Sequence, residues 1–247
     1  MKKDFILIIP ARLASTRLPN KLLLEIEKKS IIQRTYECAL EAIGSNEKII
    51  IATDSLEIEK HCRTFGANII MTSKECLTGT DRVAEVSEKI EADQYINLQG
   101  DEPIFPSKEL SLFIKTVRKD PRVVYTAITK IKKESDFRNL SIPKMIFSNS
   151  NRLLYSSRAA VPSSKDNSFK NAYKHVCIYA FNKDHLKTFK SQTSKTEFEK
   201  QEDLEINRFL EMDITVKCIY LKSCGKAIDT IEDFNEVSDL ISKLPMK

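Results

Sequence analysis

The sequence contains no tryptophan, only five glycines and three histidines in 247 residues, and none of its six cysteines stands in a CxxC pair. Scattered histidines (His61, His175, His185) and unpaired cysteine spacing argue against a zinc site. In a chain with no secretory signal, such thiols read as reduced, core-filling residues. Neither a GxGxxG turn nor a Walker A loop is present, which excludes the commonest backbone cradles for phosphate. No apolar run approaches the length that spans a bilayer. The segment Phe5–Ile9 behind the basic N-terminus is too short for the core of a signal peptide, so the protein is expected in the cytoplasm. There is no block of five or six basic residues and no interleaving of aromatic with basic side chains, so nucleic acid is not an expected partner. What remains is an ordinary globular composition, 41% hydrophobic and 30% charged, with a mild net charge of +5. Its length suits one large α/β domain, or a core with a smaller lobe.

Within that frame the periodicity alternates between strand and helix. Phe5-Ile6-Leu7-Ile8-Ile9 is uniformly apolar, as strands buried on both faces of a parallel sheet are, and Pro10 is expected to stop its ladder. Residues 31–43 repeat at helical spacing and close on Gly44. Lys48–Asp54 forms a second strand, 55–65 a short helix ending at Gly66, and Ile69–Met71 a third strand. This βαβαβ order predicts a Rossmann-like, mostly parallel sheet with right-handed crossovers. Thr80 is placed to cap a helix carrying Val83, Val86 and Ile90. Tyr95–Leu98 is a fourth strand, 104–122 one amphipathic helix, and Val123–Ile128 another strand. Residues 130–144 are charged and irregular. Met145–Ser148 and His175–Phe181 then bracket the loop SSRAAVPSSKDNS, so about 123–200 reads as a smaller mixed lobe inserted into one domain spanning 1–247. A helix is expected over 199–211 with Ile206, Phe209 and Leu210 on one face. A strand over Ile214–Leu221 follows, and Asp229 or Thr230 caps a last helix running to about Leu244.

Chemistry gathers just beyond the strand ends, where open α/β sheets bind their ligands. The loop after the first strand carries Arg12, Arg17 and Lys21, interleaved with Ser15 and Thr16. By charge alone it is a solvated basic loop or a grip for a polyanion. Thr78-Gly79-Thr80-Asp81-Arg82 is a capped helix start or an acceptor-binding turn. Asn97-Leu98-Gln99-Gly100-Asp101-Glu102-Pro103 is an ordinary turn or a seat for a divalent ion, since Mg²⁺ needs only one or two carboxylates beside substrate phosphate. His175, at the head of an apolar strand, is a packed structural histidine or a ligand contact.

The stretch PARLASTRLPNK resembles the signature P-A-R-x-x-S-x-R-L-P-x-K of nucleotidyltransferases that activate acidic sugars as CMP derivatives. Pro10, Ala11, Arg12, Ser15, Arg17, Leu18, Pro19 and Lys21 fill every fixed position. The further strings TGTDR, NLQGDEP, YSSRA, YKHVCIYAF and GKAIDTIED resemble most closely the 3-deoxy-manno-octulosonate (Kdo) cytidylyltransferase family, over nearly the whole chain. That resemblance implies a nucleotide-diphospho-sugar transferase fold and the synthesis of CMP-Kdo and pyrophosphate from CTP and Kdo, for lipopolysaccharide or surface glycan. It implies that Pro10, Ala11, Arg12, Lys21, Thr78 and Gly79 receive CTP, with Arg12, Lys21 and Asp101 catalytic. It further implies that Asp101 and Asp229 bind Mg²⁺, that Arg17, Gln99, Arg158, His175 and Glu205 face the sugar acid, and that two copies pair through the smaller lobe.

The chain departs from the family pattern at three positions. Ile231 replaces a proline at a helix start, where proline is only preorganising. Ile206 stands where a glutamine reaches a sugar hydroxyl, and Cys177 where glycine is usual. Together these two imply a less polar corner of the sugar pocket, suited to Kdo or to a modified or different nonulosonic acid, unless a neighbour such as Asn207 supplies the lost bond. A non-catalytic sensor on the same fold would be expected to have lost the cations or carboxylates that this chain retains.

Overall fold

The fold was obtained as a computed structural model that describes residues 2–15 and 17–243. Strands β1 (Ile6–Ala11), β2 (Glu25–Ile26) and β3 (Lys29–Ser30) come first, followed by α1 (Ile31–Ile43), β4 (Ile49–Thr53), α2 (Leu56–Arg63), β5 (Asn68–Met71), α3 (Gly79–Lys89) and β6 (Tyr95–Leu98). Then come α4 (Ser107–Val117), β7 (Val124–Lys130), α5 (Glu134–Arg138), β8 (Lys144–Phe147), β9 (Leu153–Ser157) and β10 (Tyr173–Phe181). The chain closes with α6 (Lys183–Lys190), α7 (Glu197–Glu202), α8 (Ile206–Glu211), β11 (Val216–Tyr220) and α9 (Ile231–Ser242).

One sheet of nine strands carries the molecule, in the order β11-β7-β10-β6-β1-β4-β5, with β8 joined to β10 and β9 to β8. β1 lies parallel to both β4 and β6, β4 to β5, and β7 to β11. β10 alone runs antiparallel in the middle, between β6 and β7. The mostly parallel α/β architecture expected from the alternating pattern is therefore present. Both faces are dry: Leu7 and Ile9 belong to one apolar cluster, Ile6 and Ile8 to the other. This is why β1 reads as an unbroken apolar run rather than an alternating one. A third, small cluster joins Ile131 after β7, Phe137 of α5 and Ala172 before β10.

Several boundaries differ from the sequence expectation. Pro10 does not end β1, which continues to Ala11 opposite Thr53. The Ile6 N–H points to Gln94 at the head of β6, so by two-residue alternation the nitrogen of Pro10 faces the same side. Pairing with β6 has already finished there, at Ile8 opposite Asn97, and a missing donor costs nothing. The cap of α3 is Thr78, whose side chain accepts from Asp81 N–H while Asp81 accepts from Thr78 N–H. Thr80 lies inside the first turn. α4 is shorter than 104–122 because Pro106 sets its start, the residue before a proline being pushed away from helical geometry, and Arg118 caps its end. The helix expected over 199–211 is two helices, broken at Asp203 (φ 51°). Asp is one of the few residues that enters the left-handed region readily. β9, the β2–β3 hairpin and α6 are elements the sequence reading lacks, and the charged stretch 130–144, expected to be irregular, holds the short helix α5. Thr230 caps α9 in a reciprocal box with Asp233, and Leu244 lies outside the described residues.

Candidate active site

The carboxyl ends of β1 and β6, the start of α3, the segment leading into α9 and the break between α7 and α8 converge. Gly100 makes the first approach possible: a Cβ there would stand 2.8 Å from the carbonyl oxygen of Pro10. The glycine thus lets the β6 end sit against β1.

At the centre is a compact ion cluster. Lys21, held in a short 3₁₀ turn, places Nζ 2.6 Å from Asp101 Oδ2 and 3.1 Å from Asp229 Oδ1. Arg17 Nη2 lies 3.0 Å from the same Asp229 oxygen. Burial alone would lower the pKa of Lys21, but the two carboxylates outweigh it and hold the ammonium above its ordinary value. Residues 80 and 208 positions apart in the chain are thereby joined. The carboxylates of Asp101 and Asp229 thus share one cation, Lys21. Among the described residues no group of three or more metal-ligating side chains occurs. Arg12 is exposed and has no ion pair among the described residues.

Beside this cluster is a second one. Glu205 accepts from Gln99 Nε2 (3.1 Å) and from the backbone N–H of Thr80 (3.0 Å). Burial, and after it the neighbouring Cys177 and Glu205, raise the phenol of Tyr179. Burial raises the Glu205 carboxyl above the usual range, while the Thr80 N–H works against that rise. Gly79 packs on Gln99, with a would-be Cβ 3.1 Å from its amide. The start of α3, Gln99 and Glu205 are therefore one contiguous surface. Behind the ion cluster, Glu102 is buried with its Oε2 unpartnered among the described residues, and burial pushes its carboxyl up to about 8, with Asp101 adding to the rise.

The cytidylyltransferase family model matches residues 6–217. A 3-deoxy-manno-octulosonate cytidylyltransferase of Protochlamydia amoebophila is 36% identical, the match covering 98% of this chain and 96% of the relative. The Escherichia coli protein of the same name is 34% identical over 96% of each. This chain belongs to the 3-deoxy-manno-octulosonate cytidylyltransferase family. Among solved structures, a CMP:2-keto-3-deoxy-manno-octonic acid synthetase complexed with CTP superposes with a TM-score of 0.89 at 34% identity, covering 98% of this chain and 99% of that one. An inositol-1-phosphate CTP transferase of T. maritima, at 16% identity and a TM-score of 0.71, shares the fold.

For a cytidylyltransferase of this family, the remaining residues singled out in the sequence fall as follows. Pro10 and Ala11 end β1 beside Gly79 and Gly100. His175 is 7% exposed and bonds Thr126 Oγ1 at 2.8 Å through Nε2, on strands β10 and β7. Burial pushes its imidazole down to about 3, so it is neutral. Arg158 sends Nε to the Glu202 carbonyl (2.6 Å), Nη1 to that of Leu140 (3.1 Å) and Nη2 to that of Asp203 (3.3 Å). Of its five N–H donors, three are thus committed to backbone. All six cysteines are free, and burial raises every thiol, so none is a ready nucleophile.

The two departures from the family pattern also have places. Ile206 is fully buried in the cluster that includes Phe181, Phe189 and Phe209, so it points into the core, not toward a pocket. Asn207 donates to the Ser156 carbonyl at 3.0 Å. Cys177 places Sγ 3.8 Å from His175 Nδ1. Tyr179 and Glu102 were not singled out in the sequence. The first looks like one more apolar strand residue, and the second like the other half of a turn.

Proposed function

We propose that the protein forms CMP-Kdo and pyrophosphate from CTP and Kdo. The observation that carries this is the convergence of Lys21 and Arg17 on the carboxylates of Asp101 and Asp229, next to the Gln99–Glu205 pair. One half of the site is built for a polyanion with a metal, and the other for a hydroxyl-rich acid. The triphosphate lies along Arg12 and Lys21, the cytidine against Thr78 and Gly79, and the sugar acid against Arg17, Gln99, Arg158, His175 and Glu205.

In the reaction, the anomeric hydroxyl of the sugar forms a new bond to the α-phosphorus of CTP. The bond to the bridging oxygen of the pyrophosphate breaks, and the hydroxyl proton is released. Asp101 and Asp229 would hold Mg²⁺, which supplies neutralisation of phosphate charge. When the triphosphate arrives, Lys21 exchanges its carboxylate partners for phosphate oxygens, freeing Asp101, and Asp229 is freed once Arg17 also turns from it to the sugar acid. Arg12, with no partner to give up among the described residues, meets charge as it develops on the leaving pyrophosphate, a contribution whose loss typically costs on the order of 10²–10³ in rate. Gln99 and the Thr80 N–H keep the Glu205 carboxylate oriented toward sugar hydroxyls.

The segment of about 123–200 is the sugar-binding lobe through which two copies pair, and the enzyme works in the cytoplasm. No described helix is long and apolar enough to cross a membrane. Pyrophosphate release from CTP and Mg²⁺ across a panel of sugar acids tests the assignment. Release with Kdo well above that with other nonulosonic acids is expected, and equal or absent release with Kdo would refute it.

A further inference from the structure

The position of Glu205 is not determined by its own helix. α8 is only six residues long, and Glu205 sits at its first turn, two residues after the left-handed Asp203. Its carboxylate is held from one side by Gln99 and Thr80. From the other side the chain is held by an arrangement of which the binding roles use Arg158 alone. Ending α7 at Glu202 strands carbonyl oxygens that a continuing helix would have satisfied. Arg158 collects them, through Nε to Glu202 and Nη2 to Asp203. The Glu202 side chain answers in the opposite direction. Its Oε2 accepts from Arg158 N–H at 2.8 Å, and its Oε1 from Ser157 Oγ at 2.7 Å and Tyr155 OH at 3.3 Å. Burial would raise this carboxyl, but those donors outweigh it and keep it ionised, below the usual range.

A fully buried lysine completes the lock. Lys144, at the head of β8, gives its ammonium to the carbonyls of Asn139 (3.0 Å), Ile142 (2.7 Å) and Arg158. The end of β9, the turn at 139–142 and the break at 202–203 are thus one hydrogen-bonded unit. Glu202 is its only carboxylate among the contacts named.

We propose that Glu202 is a positioning residue for the sugar half of the site. Through Arg158 and Lys144 it sets the left-handed break at Asp203 and hence where the Glu205 carboxylate stands. Leu204, Ile206 and Phe209 are buried in the core, so α8 stays packed without the clasp while its first turn loses its stop. The contacts reach neither Lys21, Asp101 and Asp229 nor the capped start of α3. The inference rests on Glu205 facing the sugar acid.

Steady-state kinetics of Glu202→Ala, Glu202→Gln and Glu205→Gln, with CTP and Kdo varied separately, test it. A displacement of about 1 Å in a positioning group can cost as much as 10²-fold. Glu202→Ala is therefore expected to raise the KM for Kdo by at least about 10-fold, with the KM for CTP within about 2-fold. Glu202→Gln, which keeps an acceptor for Ser157 or Arg158, restores most of the loss. A general loosening of the fold would raise both KM values, and that result overturns the inference. So does an unchanged Kdo KM in Glu202→Ala when Glu205→Gln raises it. An unchanged Kdo KM in Glu205→Gln refutes the sugar-facing role of Glu205 itself, and the clasp's function falls with it.

Discussion

Arg208→Met should destabilise this protein more than any exposed charge change. The guanidinium is wholly buried. Nε and Nη2 meet Glu199 Oε2 and Oε1 at 2.6 and 2.7 Å, Nη1 meets Asp81 Oδ1 at 3.0 Å, and the group lies 3.8 Å from the centre of the Phe189 ring. One side chain thus ties α8 to α7 and to the first turn of α3. Methionine would fill most of the volume but leave Glu199, itself 0% exposed, as an unpaired buried carboxylate whose remaining donor is the Thr196 N–H. Asp81 fares better, because Oδ2 keeps both the N–H and the hydroxyl of Thr78. Removing one partner of such a pair costs about 3–5 kcal/mol, a large share of a typical stability of about 5–15 kcal/mol. Equilibrium urea unfolding reads this as a fall in midpoint at unchanged slope. Arg208→Met/Glu199→Gln should regain roughly half of the loss, since the stranded charge is the main cost. A single-variant loss below about 1 kcal/mol, or a double variant as unstable as the sum of its parts, would refute the reasoning.

Three further outcomes are expected. Asp101→Asn and Asp229→Asn should each lower turnover by at least about 10²-fold with the fold intact; near-normal turnover of either at limiting Mg²⁺ would break the metal pairing. Lys21→Ala should raise the KM for CTP by about 10-fold or more, while Arg17→Ala acts mainly on the KM for the sugar, and two-substrate kinetics separates them. His175 stays neutral in the fold down to about pH 3, whereas the unfolded chain takes up its proton near 6.5. The unfolded state thus binds more protons between those values, and stability falls on acidification by up to about 1.4 kcal/mol per pH unit. The stability advantage of wild type over His175→Asn should therefore shrink from pH 7 to 4.5, and a constant difference in urea midpoints would contradict the assignment.

The parallel half of the sheet was legible because β1 and β4 are buried on both faces, which leaves an unmistakable apolar run, while the half-exposed edge strand β5 shows only as a short apolar triplet. Gly44 ends α1 as expected (φ 73°) because its left-handed cap is a local requirement. The ion cluster was legible only as three separate motifs. Nothing local tells Lys21 that Asp229 will lie against it 208 residues later. The same limit explains His175, whose partner Thr126 is 49 positions away, and the break at Asp203, where the carbonyls of Glu202 and Asp203 accept from the distant Arg158 guanidinium. Ile206 shows the opposite failure. A departure from a family string suggests an altered pocket, yet helix geometry turns that side chain into the core.

The central claim is nucleotidyl transfer to a sugar acid, and ³¹P NMR of CTP, Mg²⁺ and Kdo with the wild-type protein tests it most directly. The three CTP resonances should give way to one phosphodiester resonance and pyrophosphate in equal amounts, with neither formed when Kdo is omitted. Appearance of free CMP, or of CDP and phosphate, at the same rate with and without Kdo would show hydrolysis instead of transfer, and would contradict the account.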